Sequence, residues 1–514
     1  VEFRHAATGR VVRVPGFYAA DGNAAETSAT RGRVWQAHFL PDAGGEWRFR
    51  ASFRRGPWVA IDPAPEAGEP AAFDGAEGSF TIGPSDKQPP DFRARGLLKH
   101  TGGHYLQFAG NGEYFLKGGA DSPENFLAYS DFDGTYDLDA RFNEGENTTG
   151  KPFLHRYDPH VRDWKNGDPV WQNTKGKGII GALNYLASKG MNSVYFLTYN
   201  IDGGDGKDVW PWIAPDVRDR FDVSKLAQWE IVFSHMDRLG IMLHVVTQET
   251  ENDRKLGGSA GLNNIRKLYL RELIARFAHH PALIWNLGEE NNTPDPDRRA
   301  IAAWIRELDP YDHPIGVHTH LNRARTFYNG ILGDPHFEVT SIQSDMAYYH
   351  EEAVELRRRS AEAWRKWAIF HDEQSPADMG VLPDSEDPDH DIPRIEALWG
   401  NLMGGGSGVE WYFGYRFPHM DLNCEDWRSR DRMWEQTRIA LEFFHRHLPF
   451  REMEPVVPPF RVAEGSPMRV FAKIGEVYAI QFPRGGSAQI ALPEGEYTVH
   501  WFNPRTGGEL LQGE

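Results

Sequence analysis

The stretch Trp285-Asn286-Leu287-Gly288-Glu289-Glu290-Asn291 holds residue types that could do chemistry. It follows Pro281-Ala282-Leu283-Ile284, a short apolar run that reads as a buried strand. A buried strand that ends on two adjacent carboxylates needs a polar space to receive them. The C-terminal mouth of a (β/α)8 barrel, where active sites sit, is such a space. A solvated helix start would also suit the acids, because Glu and Asn favour an N-terminal dipole. It leaves the Trp-Asn-Leu-Gly lead-in unexplained. A second stretch, Trp367-Ala368-Ile369-Phe370-His371-Asp372-Glu373-Gln374, has the same form. Two carboxyls held about 5–5.5 Å apart can hydrolyse a glycosidic bond with retention. One, with a raised pKa, protonates the departing oxygen, and the other, ionised, attacks the anomeric carbon.

Those two stretches need a scaffold that brings them face to face. Between residues 96 and 445 strand-like runs alternate with amphipathic helical ones, the pattern of a parallel α/β fold. Eight strands are expected at Tyr114–Lys117, Ser193–Thr198, Ile241–Val246, Ala282–Leu287, Ile315–Thr319, Val339–Gln343, Ala368–His371 and Val409–Phe413. Leu226, Trp229, Phe233 and Met236 give one apolar helix face after an N-cap at Asp222, and Gly240 stops that helix. Eight strands in this order favour a closed barrel, with the carboxylates at the ends of the fourth and seventh. The gap between the fifth and sixth leaves room for only a short helix.

Residues 1–95 read as all-β. Val34–Phe39 and Trp47–Phe53 alternate around a Pro41-Asp42-Ala43-Gly44-Gly45 turn, and Ser79–Ile82 offers a later strand. After residue 446, Pro455, Pro458 and Pro459 mark a linker, and Val477–Phe482, Ala488–Leu492 and Tyr497–Phe502 alternate as strands. The expected architecture is multidomain α/β plus all-β: an N-terminal antiparallel β-sandwich (1–95), a central (β/α)8 TIM barrel (96–445) and a C-terminal β-sandwich (446–514).

Composition narrows the function classes. A chain of 514 residues exceeds one ordinary core. A formal net charge of −18 argues against nucleic acid. Aromatic content of 13%, with 17 Trp, suits stacking on sugar rings as well as large sandwich cores. The single cysteine, Cys424, excludes an intrachain disulfide and a thiolate metal cluster. No apolar run approaches 18 residues, so no transmembrane helix and no membrane partner are expected. The chain starts at Val1, so any leader is expected to have been removed or to lie outside this sequence. A secreted or periplasmic location is the expectation, with a cytosolic one left open by the lone cysteine. Composition says nothing of oligomeric state.

Trp285-Asn286-Leu287-Gly288-Glu289-Glu290 resembles the Trp-Ser-Leu-Gly-Asn-Glu type of segment of the clan A glycoside hydrolases. Those are (β/α)8 barrels with an acid/base Glu after strand four and a nucleophile Glu after strand seven. The resemblance implies Glu290 as acid/base and Glu373 as nucleophile, acting on a plant, algal or microbial polysaccharide or its oligosaccharides. It departs at Glu289, where the clan has an Asn that contacts the substrate 2-hydroxyl. Either Glu289 contacts the sugar itself or that subsite differs. Pro15-Gly16-Phe17-Tyr18 and Asp21-Gly22 resemble the β-sandwich domain of unknown function 5060, which precedes barrels of the apiosidase-like, DUF4038-related kind. Tyr497–Gly507 resembles the sandwich that closes those proteins, a family labelled collagen-binding, from which no collagen binding is taken here.

The strand ends supply further candidates for contact with substrate: Asp121, Tyr199, Gln248, Glu249, Asn291, His318, His320, Asp345, Asp372 and Trp411. Trp411 stands where the clan keeps a sugar-stacking platform, or is a buried aromatic. His318 and His320, two apart on a strand, point to one side and suit hydroxyl contacts better than a metal. Glu249, Glu251 and Asp253 could hold a structural calcium or form a polar loop. No catalytic metal or other cofactor is expected. Two readings compete with a glycosidase: a metal-dependent hydrolase using His244, His318, His320 and Asp345, which lacks a strand-one histidine pair, and an inactive carbohydrate-binding protein.

Overall fold

The computed structural model describes residues 1–64, 66–138, 154–203, 206–456, 467–488 and 490–513. Its N-terminal part is an antiparallel sheet of β1 (Glu2–His5), β2 (Val11–Arg13), β3 (Gly45–Arg50) and β4 (Glu77–Ile82), in the order β2-β1-β3-β4. The turn at residues 41–45 does not join a hairpin, contrary to expectation. β3 pairs with β1 and β4, while Trp35–Gln36 pairs with Phe17–Tyr18. Aromatic packing accounts for the difference. Phe39 stacks on Phe3 at 4.3 Å and meets Trp47 edge-on at 4.9 Å, so the segments before and after the turn face one another through side chains.

A two-stranded hairpin, β5 (Leu98–His100) and β6 (Leu106–Phe108), leads into the central sheet. That sheet is parallel and holds β7 (Lys117–Ala120), β8 (Ser193–Leu197), β9 (Met242–Val246), β10 (Leu283–Asn286) and β11 (Ile315–Gly316). β12 (Gln343–Asp345) and β14 (Glu373–Ser375) form a separate parallel pair, and β13 (Phe370–His371) and β15 (Gly408–Trp411) rejoin the main sheet. The seven-stranded order is β11-β10-β9-β8-β7-β15-β13. Parallel bridges His318–Ser341 and Val339–Ala368 link its two ends through the segment before β12. This curled parallel sheet is consistent with a TIM-like barrel. Helices α1 (Lys177–Ser188), α2 (Val223–Leu239), α3 (Asn264–Phe277), α4 (Asp295–Leu308), α5 (Tyr349–Glu362) and α6 (Asp431–His447) lie between strands or follow the last one. Asp222 caps α2 by accepting from the Lys225 amide, and Gly240 ends it in the left-handed region at φ 73°.

The first barrel strand lies three residues beyond its expected place. Tyr114 and Phe115 extend the preceding hairpin, where the Phe115 amide donates to Leu106. The strand itself is Lys-Gly-Gly-Ala, which lacks the bulky apolar residues a strand search looks for. Its glycines are there for room: a Cβ on Gly119 would lie 2.0 Å from the Ser193 carbonyl oxygen. The C-terminal part pairs β16 (Glu454–Pro455) with β17 (Arg469–Lys473) and β17 with β18 (Val477–Gln481), all antiparallel. β19 (His500–Trp501) pairs with β20 (Leu511–Gln512). Pro458, Pro459 and part of the expected 488–492 strand lie outside the described residues. Among the described residues no helix is long and apolar enough to cross a membrane.

Candidate functional site

The mouth rests on a buried polar floor. Lys117, wholly buried, donates to Asp372 Oδ1 and to Glu410 Oε2, the latter at 2.8 Å. His244 Nδ1 lies 2.7 Å from the same Glu410 oxygen, and Asn286 Nδ2 donates to His244 Nε2 at 3.2 Å. Burial alone would push the Glu410 carboxyl up, but the Lys117 ammonium and His244 outweigh it and hold it at about 2. Burial would likewise lower Lys117, and its two carboxylates outweigh that and raise it.

Above this floor stand the residues at the strand tips. Glu289 follows β10, His318 follows β11 and Glu373 opens β14, and all three are buried. One ligating atom from each lies within 4.8 Å of the other two. His318 Nδ1 is 3.9 Å from Glu289 Oε1, and its Nε2 is 3.8 Å from Glu373 Oε2. Burial drives the His318 pKa down to about 3, against the opposing pull of Glu290. The imidazole between the two carboxylates is therefore neutral near pH 7.

Glu289 is thus one carboxyl that joins Glu373. Glu290 sits at φ 38° with its side chain 36% exposed, Oε2 3.5 Å from His320 Nδ1, and it also reaches Gln343, the residue paired with Glu373. The bond to His320 is the largest influence on Glu290 and, against burial, lowers its pKa, the opposite of what a proton donor needs. A residue in the left-handed region ends the strand's alternation, and here Glu289 is buried while Glu290 is partly exposed.

Several other expected residues gather at this place. Asp121 follows β7 and is buried; burial first, then Glu289 and Glu373, push its carboxyl well above the usual range. Its Oδ1 has no hydrogen-bond partner. Glu249 groups with Glu289 and with Glu124, again within 4.8 Å. Glu124 and Tyr195 were not legible from the sequence. Glu124 lies three residues past Asp121 in a turn, and Tyr195 sits in mid-strand, where aromatics are usually core. The Tyr195 hydroxyl is buried with no hydrogen-bond partner. Burial, then Glu289, Asp121, Glu124 and Glu249, hold its phenol well up.

Other candidates support the site without lining it. Gln248 donates to Asp253 Oδ1 and to the Leu287 carbonyl, while its own carbonyl accepts from the Glu289 amide at 3.0 Å. Asn291 accepts from Arg298 Nε and the Thr293 amide, which fixes the turn into α4. The Tyr199 hydroxyl accepts from Arg218, and its ring packs on Trp212 at 4.9 Å. Asp372 belongs to the floor. His320 and Asp345 lie on the rim, against Asn292 and Asn322 respectively. Trp411 is wholly buried and its indole donates to Thr437 Oγ1 on α6. Glu410 takes the inward side of that strand, so Trp411 must face outward and is no stacking platform.

The expected metal-hydrolase set does not converge. His244 is engaged with Glu410, His318 with the carboxylate pair, and His320 and Asp345 with the rim. Nor do Glu249, Glu251 and Asp253 form a calcium cage among the described residues. Asp253 instead accepts from Gln248 and Arg266, and Glu249 turns to Glu124.

Residues 1–54 match the family described as Domain of unknown function (DUF5060). No protein of curated function matches the chain. Among solved structures, a presumptive glycoside hydrolase from Bacteroides vulgatus aligns at 16% identity and TM-score 0.57, over 86% of this chain and 73% of that one. A glycoside hydrolase family 5 structure from the same species aligns at 13% identity and TM-score 0.54, over 82% and 87%. At these identities the likeness concerns the fold.

Proposed function

We propose that the protein is a retaining glycoside hydrolase that acts on a plant, algal or microbial polysaccharide or its oligosaccharides. The observation that carries this reading is the Glu289–His318–Glu373 group, two carboxyls on the fourth and seventh strands within 4.8 Å. That separation suits the retaining class, near 5–5.5 Å or so, and leaves no room for the water of an inverting mechanism, which needs about 6.5–9.5 Å. The fold shared with glycoside hydrolase structures supports it, as does the resemblance of residues 285–290 to clan A. The working unit is an eight-stranded barrel over about residues 96–445, between β-sandwiches at 1–95 and 446–514, in a secreted or periplasmic protein.

In this reading Glu289 takes the role that the resemblance gave to Glu290. Its carboxyl protonates the glycosidic oxygen as Glu373 attacks the anomeric carbon, which gives a covalent glycosyl ester. Glu289 then removes a proton from water, and the hydroxide displaces Glu373 with net retention. His318, neutral between them, can donate a hydrogen bond to Glu373 without neutralising it. Asp121 and Tyr195, whose protonated forms burial favours, would donate to sugar oxygens. A panel of purified polysaccharides, with the anomer first released followed by NMR, tests the proposal. Release of the inverted anomer, or no turnover on any member, would overturn it.

A further inference from the structure

Away from the mouth, a second group of titratable side chains joins the N-terminal part to the barrel. His38 comes from the N-terminal segment, Glu230 from the middle of α2, and His279 from the turn after α3. One ligating atom from each lies within 4.8 Å of the other two. The His38 and His279 rings meet edge-on at 4.3 Å, and His279 is 4.2 Å from the ring of His280.

The hydrogen bonds leave each imidazole one nitrogen lone pair, and His38 Nδ1 lies 3.9 Å from Glu230 Oε2. His38 Nδ1 lies 2.8 Å from the Arg276 carbonyl oxygen. A carbonyl can only accept, so Nδ1 carries the proton and Nε2 keeps its lone pair. This is the device by which metal-binding histidines are oriented in general. Glu230 Oε1 accepts from Ser234 and lies 3.2 Å from His279 Nε2, whereas Oε2 has no hydrogen-bond partner. His279 Nδ1 has none either. His280, wholly buried, pairs its Nε2 with Glu230 Oε2 across 3.3 Å, while its Nδ1 is engaged with Asp237 at 2.8 Å. Polar atoms buried this way ordinarily find partners.

We propose that His38, Glu230 and His279 bind a divalent first-row transition ion, with zinc the best fit. Two imidazoles and one carboxylate form a borderline donor set, which suits zinc and disfavours calcium and magnesium. Tetrahedral zinc holds its ligands at about 2.0–2.2 Å, so modest side-chain rotations would close the three around it. The three side chains are 21–26% exposed, which gives the ion a path in and water a place as fourth ligand. A small cavity of ≈ 70 Å³, lined in part by Phe17, Gln36, His38, Glu230 and Arg276, adjoins them. The ion would clip the N-terminal segment to α2 and to the entry of β10, and so stabilise the junction without entering the reaction. The proposal does not depend on the reading of the mouth.

The test uses the full chain, stripped with EDTA and then given zinc alone. Expected results are one bound zinc per chain by elemental analysis and a rise of several degrees in melting temperature on zinc addition. Both should disappear in His38→Ala and in His279→Gln, whose zinc-free melting temperatures should match that of the zinc-free parent. Cobalt(II) in place of zinc should give the intense visible bands of a tetrahedral site. This second readout needs no variant and holds even if one fails to fold. Absence of stoichiometric zinc and of the cobalt bands would overturn the proposal, as would zinc binding that both variants retain.

Discussion

Lys117 donates to Glu410 across the barrel interior at 2.8 Å, with both side chains wholly buried, and the same ammonium reaches Asp372. One cation thus serves two carboxylates directly below the pair at the mouth. Removing one partner of such a group leaves charge buried without compensation, which costs about 3–5 kcal/mol. Lys117→Met should therefore lower stability by that order in urea titration, although its volume is nearly conserved. A change below about 1 kcal/mol would show that the ammonium does not hold this floor.

The same group sets an acid limit. The folded-state pKa of Glu410, about 2, lies below the ordinary glutamate value of 4.5. A depressed carboxylate contributes stability that is present above its unfolded pKa and is lost as pH falls through the folded one. The contribution is on the order of 3 kcal/mol. It should decline between about pH 4.5 and 2, and Glu410→Gln should flatten that part of the stability profile. Urea midpoints measured across this range check it, and parallel profiles for parent and variant would refute it.

Trp411 separates a structural role from a sugar-binding one. Buried against α6 with its indole on Thr437, it should cost about 3–5 kcal/mol of stability when replaced by Ala. KM should stay unchanged in the fraction that folds. A platform role would give the reverse: a large rise in KM with little effect on melting.

Much of the barrel could be read from sequence because helix and strand periods differ and Gly240 and Asp222 punctuate clearly. Strands two, three, four and eight fall within a residue or two of their expected positions. The first strand escaped because its two glycines meet a packing need, the approach of Ser193 and of α6, that no local pattern reveals. The N-terminal turn misled for a related reason. Pro41–Gly45 has hairpin chemistry, but the contact of Phe3 with Phe39, far apart in sequence, decides the pairing. At the site, Glu373, Asp121, Glu249 and His318 were expected and converge. Trp411 is buried against α6, a matter of direction, and Glu290 is partly exposed beside His320. A residue number places a side chain at a strand end, but only the backbone torsions decide which way it points. The His38–Glu230–His279 group left no sequence signal at all, since three distant segments supply one residue each.

The choice between Glu289 and Glu290 yields the sharpest expectation. Help from a general acid is needed when the leaving group is poor and is superfluous when it is good. Glu289→Gln should abolish hydrolysis of a natural glycoside, a loss of about 10²–10⁴-fold or more. On an activated aryl glycoside of the correct sugar, bond cleavage should largely survive, with breakdown of the glycosyl ester now slow. Azide should restore turnover there and yield a glycosyl azide of retained configuration, because a small anion needs no general base. Glu373→Gln should abolish turnover of both substrates, since no ester can form. Glu290→Gln should reduce activity only modestly, without azide rescue, because its carboxyl sits 36% exposed against His320 and is held ionised by it. Rescue of the Glu290 variant, with none for Glu289, would return the proton-donor role to Glu290. That result would mean that the positive φ at Glu290 does not persist once substrate is bound.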